Sequence, residues 1–64
     1  MNYTINGKPF THASRFLADV IEAWGAAKPF VVAVNKEFVP LHKHRATQLK
    51  AGDEVDVLSP IQGG

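Results

Sequence analysis

The residues with the clearest chemical use are the last five of the 64, Pro60-Ile61-Gln62-Gly63-Gly64. The reactive group expected there is the α-carboxylate of Gly64. A free carboxylate is a poor electrophile. ATP can convert it to an acyl-adenylate, and a sulfur donor can then displace AMP and leave a thiocarboxylate. Such a reaction runs in another protein's active site, so the chain end must enter a narrow channel. Gly63 and Gly64 have no Cβ to obstruct entry and a wide φ/ψ range that lets the chain straighten. Gln62 and Ile61 complete the entering segment. The alternative is an ordinary flexible end, since termini are commonly poorly ordered. At a background usage of about 7% Gly, two terminal glycines arise by chance in about one chain in two hundred. On the dipeptide alone the ordinary flexible end is the better reading, and the pattern of the whole fold reverses that choice.

Other chemistry is thin. The chain has no Cys, which excludes disulfides, a thiolate nucleophile and a Cys-based metal site. His42 and His44 are two apart and on a strand would share a face, yet no carboxylate pair near them or His12 completes a ligand set. The three histidines read as solvated surface residues, with a pH-sensitive partner contact left open for His44. Ser14 and Ser59 lack the Gly-rich elbow of a nucleophile. Asp53, Glu54 and Asp56 read as solvated charge at a turn and strand start. No catalytic constellation is present, so the chain is expected not to be an enzyme and to need no cofactor of its own. No metal site is expected.

Lys43, His44, Arg45 and Lys50 form a loose basic patch, either a solvated loop or a docking surface for an acidic partner. A net charge of +1 leaves no footprint for nucleic-acid binding. The start, Met1-Asn2-Tyr3-Thr4, lacks the basic region and apolar stretch of a signal peptide. The longest apolar run, residues 30–34, is far too short to cross a bilayer. A cytoplasmic location is expected.

The elements that must position the end are legible from periodicity. Met1, Tyr3 and Ile5 alternate with Asn2, Thr4 and Asn6, as on a half-buried strand. Asn6-Gly7 is a strong hairpin signal, because both residues tolerate the positive φ of a type I′ turn. Residues 8–12 return as a strand that Pro9 confines to a sheet edge. Ser14 is the expected N-cap of a helix whose stripe is Phe16, Leu17, Val20, Ile21 and Trp24. Phe16 and Trp24 are expected in the core. Gly25 ends the helix in left-handed geometry and Pro29 prevents its resumption.

Residues 30–34 are β-branched and apolar on both faces, as in a central strand. Asn35-Lys36 turns the chain into a short strand, Glu37-Phe38-Val39, that Pro40 stops. Residues 41–48 predict at most one irregular or 3₁₀ turn, and residues 49–53 a tight turn into a last strand, 54–59. Val55 and Val57 then share a face and Leu58 lies off it beside the end. Leu58 is either an exposed apolar contact for a partner or a satellite of the core. One helix laid across one mixed sheet of four to five strands covers the apolar stripe most simply, an α+β roll. The expected division is a domain over residues 1–59 and a flexible tail over 60–64.

The combination of a hairpin, a helix, Ala33-Val34-Asn35 with Val39-Pro40, the Gly52-Asp53 turn and the terminal Gly-Gly resembles the ThiS-type sulfur carriers of thiamine biosynthesis, a β-grasp, ubiquitin-like family. The resemblance covers essentially the whole chain. It implies that a ThiF-type adenylyltransferase uses ATP to activate Gly64. It further implies that sulfur derived from a cysteine desulfurase makes the thiocarboxylate, and that a ThiG-type thiazole synthase takes the sulfur into the thiazole ring. Leu58, Lys43 and Arg45 are the candidate partner surface. One departure stands out: many members carry a basic residue straight after Val-Pro, where this chain has Leu41 and places Lys43, His44 and Arg45 slightly later. Two alternatives remain at this level: a carrier for molybdopterin or another thiolated metabolite, and a ubiquitin-like binding module or modifier.

Overall fold

The computed structural model describes residues 1–59 of the chain. Strands β1 (Asn2–Ile5) and β2 (Lys8–Thr11) form a hairpin, followed by helix α1 (Leu17–Trp24). A second hairpin joins β3 (Val31–Val34) to β4 (Glu37–Val39), a 3₁₀ turn spans Leu41–Lys43, and β5 (Glu54–Leu58) closes the order. The five strands make one sheet in the order β2-β1-β5-β3-β4, with β1 and β5 parallel and every other pair antiparallel. This is the β-grasp roll expected from the resemblance.

Both hairpin turns have the chemistry read from the sequence. Asn6 and Gly7 adopt φ of 53° and 81°, and Asn35 and Lys36 adopt 51° and 69°. Asparagine tolerates this region because its short amide can hydrogen-bond locally. Here both amides do more. Asn6 Oδ1 accepts a 2.8 Å bond from the Val57 N–H, one rung past the end of the β1–β5 ladder. Asn35 Oδ1 accepts from the Glu54 N–H at 3.0 Å, and its Nδ2 donates to Asp53 Oδ1 at 3.1 Å. Each hairpin turn thus holds the backbone of β5 with a side chain.

The position of the innermost strand differs from the expectation. Residues 30–34 supply β3 from Val31 onward, but β3 lies second from the edge and β5 occupies the middle. Only Val32 of β3 is fully buried, while Val31 keeps 39% of its surface. A single helix covers a single face of the sheet, so alternate residues of an all-apolar strand stay open. Tyr3, Ile5, Val32, Val55 and Val57 point into the core with Leu17, Val20 and Ile21 of the helix. Burying each of these helical side chains contributes about 1.5–3 kcal/mol.

Helix α1 also starts differently from the expectation. Its N-cap is Phe16, without a side-chain cap, and Ser14 lies two residues earlier. Ser14 Oγ accepts from the Phe16 N–H at 3.1 Å and donates to the Asp19 carboxylate at 2.7 Å. The first-turn amides that a cap would satisfy find tertiary partners instead. Leu17 N–H donates to the Thr47 carbonyl (2.9 Å) and Ala18 N–H to that of His44 (3.2 Å). The far end is as read: Gly25 has φ 92° and its N–H donates to the Ile21 and Glu22 carbonyls.

Phe16 and Trp24 are not core residues; they keep 40% and 37% of their surface. The helix has eight residues, and Leu17, Val20 and Ile21 already fill the space over the sheet. A domain this small cannot enclose two further large rings. The fully enclosed aromatic residue is Tyr3, 2% exposed, whose hydroxyl donates to the Ser14 carbonyl at 2.9 Å. Leu49, read as part of a turn, is also core at 2%. No helix among the described residues is long and apolar enough to cross a membrane.

Replacing Asn6 with Gly keeps the backbone conformation and removes the bond to Val57, which should lower the unfolding free energy by about 1–2 kcal/mol. Asn6→Asp, which retains an acceptor oxygen, should recover most of that loss. Urea unfolding of the three proteins measures both. Equal stability of all three would mean that the side-chain bond contributes nothing.

Candidate functional site

Strand β5 ends at Leu58, and Ser59, the last described residue, donates from Oγ to the Pro29 carbonyl at 3.4 Å. The described chain therefore ends beside the residues that lead into β3. Ile61, Gln62, Gly63 and Gly64, and the tail assigned to 60–64, lie outside the described residues.

The sheet face opposite α1 carries the exposed apolar side chains of this region. Leu58 pairs with Val31 across β5 and β3, and Ala33 pairs with Phe38 across β3 and β4. Val31 and Ala33 are two apart on one strand and share a face. Leu58, Val31, Ala33 and Phe38 therefore run as one stripe across three strands. Leu58 is 60% exposed and Phe38 62%, so the reading of Leu58 as a core satellite fails. Asp56 pairs with Ala33 and lies along this stripe, and Glu54, opposite Thr4, continues the same face. A connected apolar surface with a polar margin is the usual form of a protein contact.

Lys43 and Arg45 border two separate hollows. Arg45 borders a groove against Ala18, Ile21 and Glu22 of the helix. Lys43 borders a shallow hollow with Val34, Glu37 and Val39, residues of the second hairpin. Arg45 belongs to a different surface from Leu58 because residues 41–48 return against the helix, whereas the hollow at Lys43 reaches Phe38 of the stripe.

His44 is not a solvated surface residue. It is 5% exposed, and its ring lies 6.2 Å from that of Phe30 in a stacked arrangement. Nε2 is 3.1 Å from the Val39 carbonyl. A carbonyl only accepts, so this nitrogen carries the proton. The bond ties the 3₁₀ segment to β4, while the His44 carbonyl holds the start of the helix. Nothing in the local spacing distinguishes this histidine from the exposed His42; its burial follows from the return of residues 41–48 against the helix. Among the described residues no three His, Asp or Glu side chains gather as a metal site. Asp53, read as solvated charge, instead locks a turn, accepting from the Lys50 N–H at 2.8 Å and from Asn35.

Comparison with known proteins bears on the family and the fold. The model of the ThiS family matches residues 4–64. The crystal structure of the thiamine biosynthesis protein ThiS from Geobacter metallireducens is similar to this chain with a TM-score of 0.83. It is 33% identical, over 100% of both chains. The solution NMR structure of a thiamine biosynthesis protein from Geobacter metallireducens gives a TM-score of 0.80 and 33% identity, over 100% of this chain and 88% of the other. Among curated proteins there is no match.

Because Leu58 and Phe38 touch solvent rather than core, Leu58→Ser and Phe38→Ser should each change the unfolding free energy by less than about 0.5 kcal/mol. Leu49→Ala should cost about 2–5 kcal/mol. Thermal or urea unfolding checks the contrast, and a Leu58→Ser protein as unstable as Leu49→Ala would remove the open-face contact from consideration.

Proposed function

The chain belongs to the ThiS family, whose members are sulfur carriers and not enzymes, and from this we propose that its working group is the α-carboxylate of Gly64. A ThiF-type adenylyltransferase joins the carboxylate to AMP from ATP and releases pyrophosphate. Sulfur derived from a cysteine desulfurase, carried as a persulfide, then attacks the acyl carbon; a C–S bond forms and the C–O bond to AMP breaks, and a thiol reductant cleaves the S–S bond of the resulting acyl disulfide to leave the thiocarboxylate. A ThiG-type synthase takes that sulfur into the thiazole of thiamine, in the cytoplasm. ATP serves the partner, and the chain needs no cofactor of its own.

The observation that carries this reading is the family match, which runs from residue 4 through Gly63-Gly64. Chain geometry supports it. Residues 60–64 reach at most about 17 Å when fully extended, so a partner acting on Gly64 must come that close to Ser59. Leu58 is the nearest described member of the apolar stripe. In this reading the stripe seats the partner while Ile61, Gln62, Gly63 and Gly64 enter its active site. Residues 1–59 serve as the handle and 60–64 as the working tail.

The test is intact-protein mass spectrometry after incubation with ATP, the ThiF-type protein of the same organism and a sulfur source. The expected change is replacement of one oxygen by sulfur, localised to Gly64. Deleting Gly64 should abolish the change and leave the urea midpoint where it was. Leu58→Lys should raise the KM for adenylylation about tenfold, which corresponds to about 1.4 kcal/mol of lost contact. An unmodified end in the presence of an active partner would overturn the carrier reading.

A further inference from the structure

The groove that Arg45 borders is unused by the reading above. It has a volume of about 480 Å³ and lies between α1, the residues entering β3 and the 3₁₀ turn. Ile21 and Phe30 line it as apolar surface, Leu41 stands at it 65% exposed, and Lys28 and Arg45 supply positive charge against Glu22, with Asp19 in the adjoining hollow that Arg45 also borders. Neither cation has an ion-pair partner among the described residues. We propose that this groove is a second docking surface for the activating protein, which fills it with a segment carrying an apolar side chain flanked by carboxylates. The inference rests on the carrier reading and adds to it the chemistry of the partner.

Position is the first argument. Lys28 and Phe30, both lining the groove, flank Pro29, whose carbonyl receives Ser59. A protein that reaches Gly64 within about 17 Å of Ser59 therefore works close to the Pro29 end of the groove. Charge is the second. The open face carries Asp56 and Glu54 beside its apolar stripe, whereas the groove carries Lys28 and Arg45. One partner segment cannot complement both, because a like charge opposite either site is repelled. The groove therefore selects an acidic segment and the open face a neutral or basic one, so the two surfaces fix the orientation in which the tail is presented. Leu41 is the third argument. It lines the groove with 65% of its surface open, an apolar contact that an apolar side chain of the partner can cover.

The experiment has two parts. The ¹⁵N-labelled chain is titrated with the unlabelled ThiF-type protein of the same organism. The amide signals of Ile21, Glu22, Lys28, Leu41 and Arg45 should shift or broaden together with those of the tail. The Lys28→Glu plus Arg45→Glu protein should bind with a Kd at least about tenfold weaker and with a flatter salt dependence. The charge-matched Lys8→Glu plus Lys36→Glu protein should lie within about threefold of wild type. Silent groove amides, or equal weakening by both charge reversals, would overturn the proposal. So would groove signals in the free chain that move when Gly63 and Gly64 are removed, because the chain's own end would then be the occupant. The sulfur-for-oxygen mass change is read on a separate wild-type sample, so failure of the carrier reading is distinguished from failure of this one.

Discussion

The structure depends on the insertion of β5 between two hairpins that are each closed by local turns. β1–β2 and β3–β4 are joined by two-residue turns and need only short-range order. β5 must pair with β1 in parallel across some fifty residues of chain and with β3 in antiparallel register: Ile5 lies opposite Val55, and Val32 opposite Val57. Bringing such distant segments together costs loop-closure entropy before any pairing offsets it. The compensation is concentrated on β5: ladder bonds on both edges, two fully apolar side chains in the core, and the amides of Asn6 and Asn35 on its backbone. The same strand leads into the last five residues. The strand held from both sides is therefore the one that precedes them in the chain.

A helix of two turns over five strands has a second consequence. It can cover one face, and the opposite face is left with whatever the alternation of β3, β4 and β5 places there. In this chain that is Val31, Ala33, Phe38 and Leu58, with Asp56 and Glu54 at the margin. The helix side has its own uncovered ground, because the return of residues 41–48 leaves a groove with cations at its rim. The domain thus presents two unlike surfaces near one exit point. Two surfaces of unlike character let a small domain discriminate between partners by complementarity at one and repulsion at the other.

The 3₁₀ segment shows how closely the irregular part is tied to the regular one. The His44 ring donates to β4 while its backbone carbonyl accepts from the first turn of the helix. Thr47 and Arg15 add backbone bonds between the same two regions. A loop that replaces a helix cap must hold its position, and the buried imidazole against Phe30 provides the anchor. This accounts for a polar side chain inside a core that is otherwise aliphatic apart from Tyr3.

Local chemistry was legible in the sequence wherever the decisive atoms lie within a few residues of one another. Both asparagine turns, the glycine that ends the helix, the edge position of β2 and the shared face of Val55 and Val57 follow from φ preferences and period-two alternation. Tertiary structure alone decided which apolar residues found room. Leu49 was enclosed, while Phe16 and Trp24 were left half outside because three aliphatic side chains had already filled the space over the sheet. It also decided that carbonyls from residues 44 and 47 cap the helix in place of Ser14, that His44 is buried, and that Leu58 and Arg45 face opposite ways. Each of these depends on the path of a distant segment, and that path is chosen by the packing of the whole chain rather than by any local pattern.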